Sequence, residues 1–394
     1  MTQRGDSPPP IGPLTQLVRT GRDKAITGPF VNPPVVHAST VLFDSVDAML
    51  GRRQRYVYGR RGTPTSEALE TAVSEIEGAA GTVLCPSGLS AASTALLSCL
   101  SAGDEALVVD CVYGPVRHFA DTVLRRLGVA VTYFDPATPA EAFAGLMTER
   151  TAAVYLEAPG SLTFEMQDVP GIAAAARARG ATVLFDNTWA TPYFFRPLAA
   201  GVDLSIHAAT KYLGGHADVS LGTVAASAAA WPRLKELHGS LGLTVAPDDI
   251  FLGLRGLRTL GIRLERQMQS GLRIASWLEG RPEVTRVLYP ALPGDPGHAL
   301  WKRDMRGASS LFAVQLGGWS EDEAKRFVDG LALFAIGASW GGFESLAILA
   351  RPDAVRSAVP WRGGGPLVRL HVGLEDPDDL IADLEAGFAR IAAG

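Results

Sequence analysis

A chain of 394 residues is long enough for two or three domains and buries a sizeable core without a disulfide or metal staple. Its 47% hydrophobic and 20% charged residues describe an ordinary globular protein, and 36 basic against 41 acidic residues leave a net charge of −5, the wrong sign for a nucleic-acid carrier. Three cysteines, Cys85, Cys99 and Cys111, lack CxxC spacing, which argues against a disulfide framework or zinc ribbon and fits a reducing compartment. The start, MTQRGDSPPPIGP, lacks the apolar run of a signal peptide, and no stretch of 18 apolar residues occurs. A cytoplasmic protein with no membrane or nucleic-acid partner is expected.

The polar, Pro-rich first dozen residues are expected to be disordered. Residues 31 to 65 read as an irregular arm, with Asn32, Pro33 and Pro34 followed by a basic stretch from Arg52 to Arg61. SEALETAVSEIEG then puts Leu69, Val73 and Ile76 on one helical face and stops at Gly78. Val- and Leu-rich runs follow at 82–85, 106–110, 130–135, 153–159 and 182–188, with helical patterns such as PVRHFADTVLRRLG and IAAAARARG between several of them. That alternation predicts βαβ units and a mainly parallel sheet. Beyond about residue 255 the long amphipathic stretch LRTLGIRLERQMQSGLRIASWLEG leads into strand-like runs at 310–316, 332–338 and 367–374. A closing helix has Asp378 and Asp379 in its first turn and Leu380, Leu384 and Phe388 as its buried stripe. The expected organisation is an α/β protein with an N-terminal arm (1–65), a large domain (66–255) and a smaller α+β domain (256–394).

Of the five lysines, Lys24 lies in the arm and Lys235, Lys302 and Lys325 sit among charges. Lys211 instead follows the apolar run DLSIHAAT and precedes the glycine turn YLGGH. It therefore belongs at a strand end, where parallel α/β sheets open their ligand crevice. Desolvation there lowers an amine's pKa and makes it a Schiff-base nucleophile; an ordinary ion-paired lysine is the alternative. Asp186 ends the run TVLFD on the same edge and could pair with a protonated pyridine nitrogen, as pyridoxal phosphate (PLP) chemistry requires, or simply cap a helix. TVLCPSGLSAAST reads as strand, Ser-Gly turn and helix start, whose amides near Gly88 and Leu89 could hold a phosphate. No GxGxxG follows the first strand, and no GxxxxGK[ST], HExxH or GxSxG motif occurs, which disfavours nicotinamide, nucleotide, zinc-hydrolase and serine-hydrolase readings. The seven histidines form no ligand cluster, so no metal is expected and they are read as structural or surface residues.

The segments YGRRGTPT (58–65), CPSGLSA (85–91), FDNTWAT (185–191), ATKYLGGH (209–216), RGLRTLGIRL (255–264), SWGGFESL (339–346) and LVRLHVGLED (367–376) resemble the Cys/Met-metabolism branch of fold-type I PLP enzymes, from about Leu14 to the C-terminus. The resemblance implies a large domain built on a mainly parallel, seven-stranded sheet. It implies that Lys211 carries PLP as a Schiff base, that Asp186 pairs with the pyridine nitrogen, and that Tyr113 stacks on the ring. Gly88, Leu89 and Thr210 would bind the phosphate, and Tyr58 and Arg60 would reach the phosphate of a neighbouring subunit. Arg369 and Ser339 would hold the substrate α-carboxylate, with Trp340 beside them. A homo-oligomer is implied, a pair of dimers forming a tetramer, acting on a small thioether amino acid.

Within that family Ser161, Ala208 and the SWGGFES motif are similar to the bacterial cystathionine β-lyase branch, where γ-acting members carry Asn and Ser at the first two positions. The implied reaction is α,β-elimination, L-cystathionine and water giving L-homocysteine, pyruvate and ammonia. The alternatives are a β-lyase acting on another cysteine conjugate, or a γ-acting enzyme. Two positions depart from the β-lyase pattern: Val57 and Ala338 stand where aromatic residues are expected.

Overall fold

The computed structural model describes residues 11–393. Most of the N-terminal stretch expected to be disordered, residues 1–10, lies outside the described residues. Seven strands form the larger sheet: β1 (Gly81–Cys85), β2 (Glu105–Val109), β3 (Ala130–Phe134), β4 (Thr151–Glu157), β5 (Thr182–Asp186), β6 (Leu204–His207) and β7 (Gly222–Ala226). Their order is β1-β7-β6-β5-β4-β2-β3. The block from β6 to β3 is parallel throughout, and β7 runs antiparallel to both its neighbours. Residues 106–109 of β2 and 183–185 of β5 are fully buried because helices cover both faces, which is why these strands read as unbroken apolar runs. The carboxyl ends of β2, β4, β5 and β6 therefore share one edge, and it is there that the chain places Asp110, Glu157, Asp186 and the turn that follows His207.

A 33-residue helix, Pro247–Glu279, ties this layer to the rest. It packs on the helix Pro64–Glu77, on the first strand of a second sheet and on the closing helix Pro377–Ala392. The domain boundary expected after residue 255 falls inside it. The second sheet is antiparallel, in the order β10-β11-β9-β8, from β8 (Val284–Leu288), β9 (Leu311–Leu316), β10 (Leu346–Ala350) and β11 (Leu367–His371).

One expected strand is not formed. Residues 332–338 make a single bridge, Ala335 to Leu346. The amides of Ala332, Leu333 and Phe334, which a ladder would need, donate instead to the Asp383 carboxylate at 2.8, 2.8 and 3.3 Å. Leu333 and Ile336 consequently face outward. Among the described residues no helix is long and apolar enough to cross a membrane.

Candidate active site

The edge formed by the parallel strand ends is walled by Tyr113, Glu157, Asp186, Thr188, Lys211, Trp340 and Arg369. Five of the residues expected from the sequence thus converge on one cavity: Lys211, Asp186, Tyr113, Trp340 and Arg369. Lys211 Nζ lies 3.9 Å from the centre of the Trp340 ring and 5.1 Å from that of Tyr113. Among the described residues it forms no ion pair, so the ordinary ion-paired reading does not apply. Burial pushes its amine down to about 8, against the opposing pull of the Asp186 and Glu157 carboxylates.

Asp186 closes β5. Its Oδ1 accepts the Thr188 amide at 3.0 Å and the Thr188 hydroxyl, which leaves Oδ2 for a donor in the cavity. The same hydroxyl accepts the Ala208 amide at 2.9 Å, linking Asp186 to the turn that carries Lys211. Glu157, one strand over, is buried; desolvation and the nearby Asp186 push its carboxyl well above the usual range. Its Oε2 accepts the backbone N–H of Tyr113 at 2.7 Å. Burial also raises the Tyr113 phenol.

The second sheet supplies the opposite wall. Arg369 on β11 donates from Nη2 to the Ser339 carbonyl at 3.0 Å, and burial lowers its guanidinium to about 10, still protonated at neutral pH. Ser339 sits at φ +78°, in the left-handed region unusual for a residue with a Cβ, and it turns the chain so that Trp340 covers Lys211.

Gly88 and Leu89 begin the helix Gly88–Leu97, where first-turn amides have no partner inside the helix. A Cβ on Gly88 would lie 2.4 Å from the Ala208 Cβ, so only glycine lets this helix start approach the lysine turn. The Thr210 hydroxyl is engaged across the turn, donating to the Leu221 carbonyl at 3.1 Å and accepting its amide at 2.9 Å. Tyr58 and Arg60 are not brought to this cavity within one chain. They line a separate cleft of about 890 Å³ with Trp231 and His238, where Arg60 Nη1 donates to the Gly239 carbonyl at 3.0 Å. Val57 and Ala338 also lie outside the walls of the Lys211 cavity.

Sequence reasoning did not single out Glu157, Thr188 or His371. Thr188 stands two residues past a strand-end aspartate, the spacing of a local side-chain bond to backbone, and was readable on that ground. Among the described residues no group of three or more His, Cys, Asp or Glu gathers to hold a metal.

A parallel sheet edge holding a desolvated, unpaired lysine and a strand-end carboxylate, with a helix start beside it and an arginine facing it from the second sheet, has the groups that a Schiff-base cofactor bearing a phosphate requires. Residues 14–389 match the family model described as Cys/Met metabolism PLP-dependent enzyme. A Rhizobium johnstonii protein, provisionally named a cystathionine beta-lyase, is 54% identical over 386 residues, covering 96% of each chain. The cystathionine beta-lyase of Escherichia coli is 44% identical over 388 residues, covering 96% of this chain and 98% of its own. The crystal structure of cystathionine gamma synthase from Xanthomonas oryzae pv. oryzae superposes with a TM-score of 0.89 at 34% identity, covering 98% and 99%. The chain belongs to the Cys/Met-metabolism PLP-dependent enzymes and has their fold-type I architecture. Its cofactor is PLP, and the donor set fits that group: Nζ without a partner, an Asp186 oxygen left for a protonated nitrogen, and free amides at a helix start.

Proposed function

We propose that this chain is a carbon–sulfur β-lyase that converts L-cystathionine and water into L-homocysteine, pyruvate and ammonia. The observation that carries the reading is the convergence of Lys211, Asp186, Tyr113 and Arg369 on one cavity, in a chain matching cystathionine β-lyases over nearly its whole length. PLP, when bound, supplies an electron sink for the charge that develops at the substrate Cα.

The protein's part follows from its own groups. Lys211 would hold the cofactor through its Nζ and be free to act on the substrate once released. The burial that lowers the Lys211 amine favours its neutral form, so the freed Nζ would take the Cα proton. The same nitrogen then delivers a proton to the departing sulfur, so one atom serves as base and acid. Asp186, fixed by Thr188, would hold the proton on the pyridine nitrogen. Tyr113, anchored by Glu157, presents a flat ring for stacking. Gly88, Leu89 and Thr210 would hold the phosphate, the Thr210 hydroxyl by turning away from the Leu221 carbonyl. Arg369, with Ser339, grips the substrate carboxylate through a planar fork, and Trp340 keeps water from Nζ.

Tyr58 and Arg60 complete the site from a second copy of the chain, within a dimer pair that builds a tetramer. Their separation from Lys211 in one chain supports that reading. Ser161, on the cavity wall in place of the asparagine of γ-acting members, supports β- over γ-elimination. Turnover against a panel of thioether amino acids tests the proposal: thiol release with pyruvate, highest for cystathionine, is expected, and a better substrate that is not a β-thioether would overturn it.

A further inference from the structure

His371 lies two residues beyond Arg369 on β11, so both side chains leave the same face of the strand. Both hold the same turn. Arg369 binds the carbonyl of Ser339, and His371 Nε2 receives the backbone N–H of Gly341 at 3.1 Å. The turn is strained at Ser339, φ +78°, passes through Gly341 at φ +89°, where glycine sits without cost, and is tightly seated: a Cβ on Gly341 would lie 2.9 Å from the Cβ of Lys211.

The Gly341 contact sets the tautomer of the ring. Because Gly341 donates to Nε2, the proton of the neutral ring resides on Nδ1. That nitrogen faces Ser310 Oγ at 3.4 Å, and Ser310 in turn donates to the Val372 carbonyl at 2.5 Å. Nε2 also lies 3.3 Å from the Gly342 carbonyl, farther than from the Gly341 amide, and Gln267 Nε2 already donates to that carbonyl at 2.8 Å, so the acceptor is satisfied without a proton on His371 Nε2. The ring is buried at 1% exposure, edge-on to Tyr212, and burial drives its pKa down to about 3, so it stays neutral throughout the working range.

We propose that His371 is a positioning residue for substrate-carboxylate recognition: as a neutral acceptor it pins the Gly341 amide, keeps the Ser339–Gly342 turn in its strained form, and thereby aims the Arg369 fork into the cavity. The inference rests on the amino-acid substrate and carboxylate role of the preceding reading, and it assigns to a histidine read from the sequence as structural or surface the geometry on which that role depends.

The test separates carboxylate binding from amine binding. Glycine and methylamine differ by one carboxylate, and the affinity of each for the PLP-loaded enzyme is read from the change in cofactor absorbance. In His371→Phe, which keeps a ring but no acceptor, the dissociation constant for glycine should rise about tenfold with methylamine unchanged, as a buried unpaired amide forces the turn to relax. KM for cystathionine should rise in parallel while kcat falls little. His371→Gln, whose Oε1 can accept from Gly341, should restore glycine binding to within about threefold of wild type.

If His371→Phe does not fold, Ser310→Ala decides, because it removes the partner that holds the proton on Nδ1. A rise for glycine alone supports the proposal, and no rise overturns it. Equal weakening of glycine and methylamine, or no change in either, overturns it as well. The outcome is independent of the β-lyase reading: a wild-type enzyme that released no pyruvate from cystathionine would defeat that reading and leave the glycine-to-methylamine ratio interpretable.

Discussion

Asp110, just past the end of β2, accepts the backbone N–H of Val359 at 2.9 Å, joining the large sheet to the segment that leads into β11. The same carboxylate takes the amides of Ser357 and Ala358, both at 3.0 Å, and the Arg117 guanidinium, whose Cζ lies 3.6 Å from the centre of the Tyr133 ring. Burial alone would raise this carboxyl, but the amides of Val359 and Ser357 and the charge of Arg117 outweigh it and hold Asp110 below the ordinary range. Three consecutive amides from one segment are thus satisfied by one buried anion, three residues before Tyr113.

Asp110→Asn should cost about 3 kcal/mol of unfolding free energy at pH 7, since it leaves Arg117 without its counter-charge. The sign with pH follows from the lowered pKa. The native contribution of Asp110 is complete above its unfolded value of about 4 and is lost as pH falls through the lower folded value. Urea unfolding at pH 7 and at pH 3 should therefore show the gap between wild type and variant narrowing in acid. A gap that does not change with pH would contradict this reading of the clamp.

The lowered pKa of Lys211 has a direct chemical readout in cofactor-free protein. Acetylation mapped by peptide mass across pH should reach half its limiting rate at Lys211 near pH 8, well below the value of an exposed lysine. Asp186→Asn should move that midpoint lower still, because the Asp186 charge opposes the effect of burial. A midpoint above 10 would mean that the amine is not desolvated.

Arg60 and Lys211 lie in different cavities of one chain, so each active site should draw them from two. Arg60→Ala and Lys211→Ala proteins, each inactive, should recover activity on mixing, because one site of every mixed dimer holds both wild-type residues. Subunit exchange verified by mass, with no recovery, would count against the shared site.

Ala338 precedes the Ser339 turn and is exposed in the single chain. If its small side chain widens the approach to Arg369, Ala338→Tyr should lower kcat/KM for bulky β-thioethers more than for cystathionine, by about 1–3 kcal/mol. Equal effects on small and bulky substrates would remove the argument for a wider pocket.

Residues whose chemistry is set by their place along a strand were legible in the sequence. Lys211, Asp186 and Gly88 all stand where an apolar run meets a turn, and the parallel alternation alone puts such ends on one edge. Arg369, Ser339 and Tyr113 were reached through motif resemblance, because no local pattern says that β11 of a second sheet will face Lys211. Glu157 went unremarked and His371 was read with the other histidines as structural or surface, since the importance of each lies in a single backbone amide, of Tyr113 and of Gly341, which approaches only after folding. The run 332–338 has strand composition, yet Asp383, some fifty residues on, captures its amides. Strand β8 was passed over because Thr285 and Arg286 point to solvent and break the apolar run, and β7 because GTVAA is built of small side chains.

The reaction is defined by the bond that breaks. Purified enzyme supplied with PLP and L-cystathionine, with both products identified by mass, tests it in one measurement. Cleavage on the β side yields pyruvate and homocysteine in equal amounts, which is the predicted result. 2-Oxobutyrate and cysteine as the products would place the scission on the γ side and contradict the account.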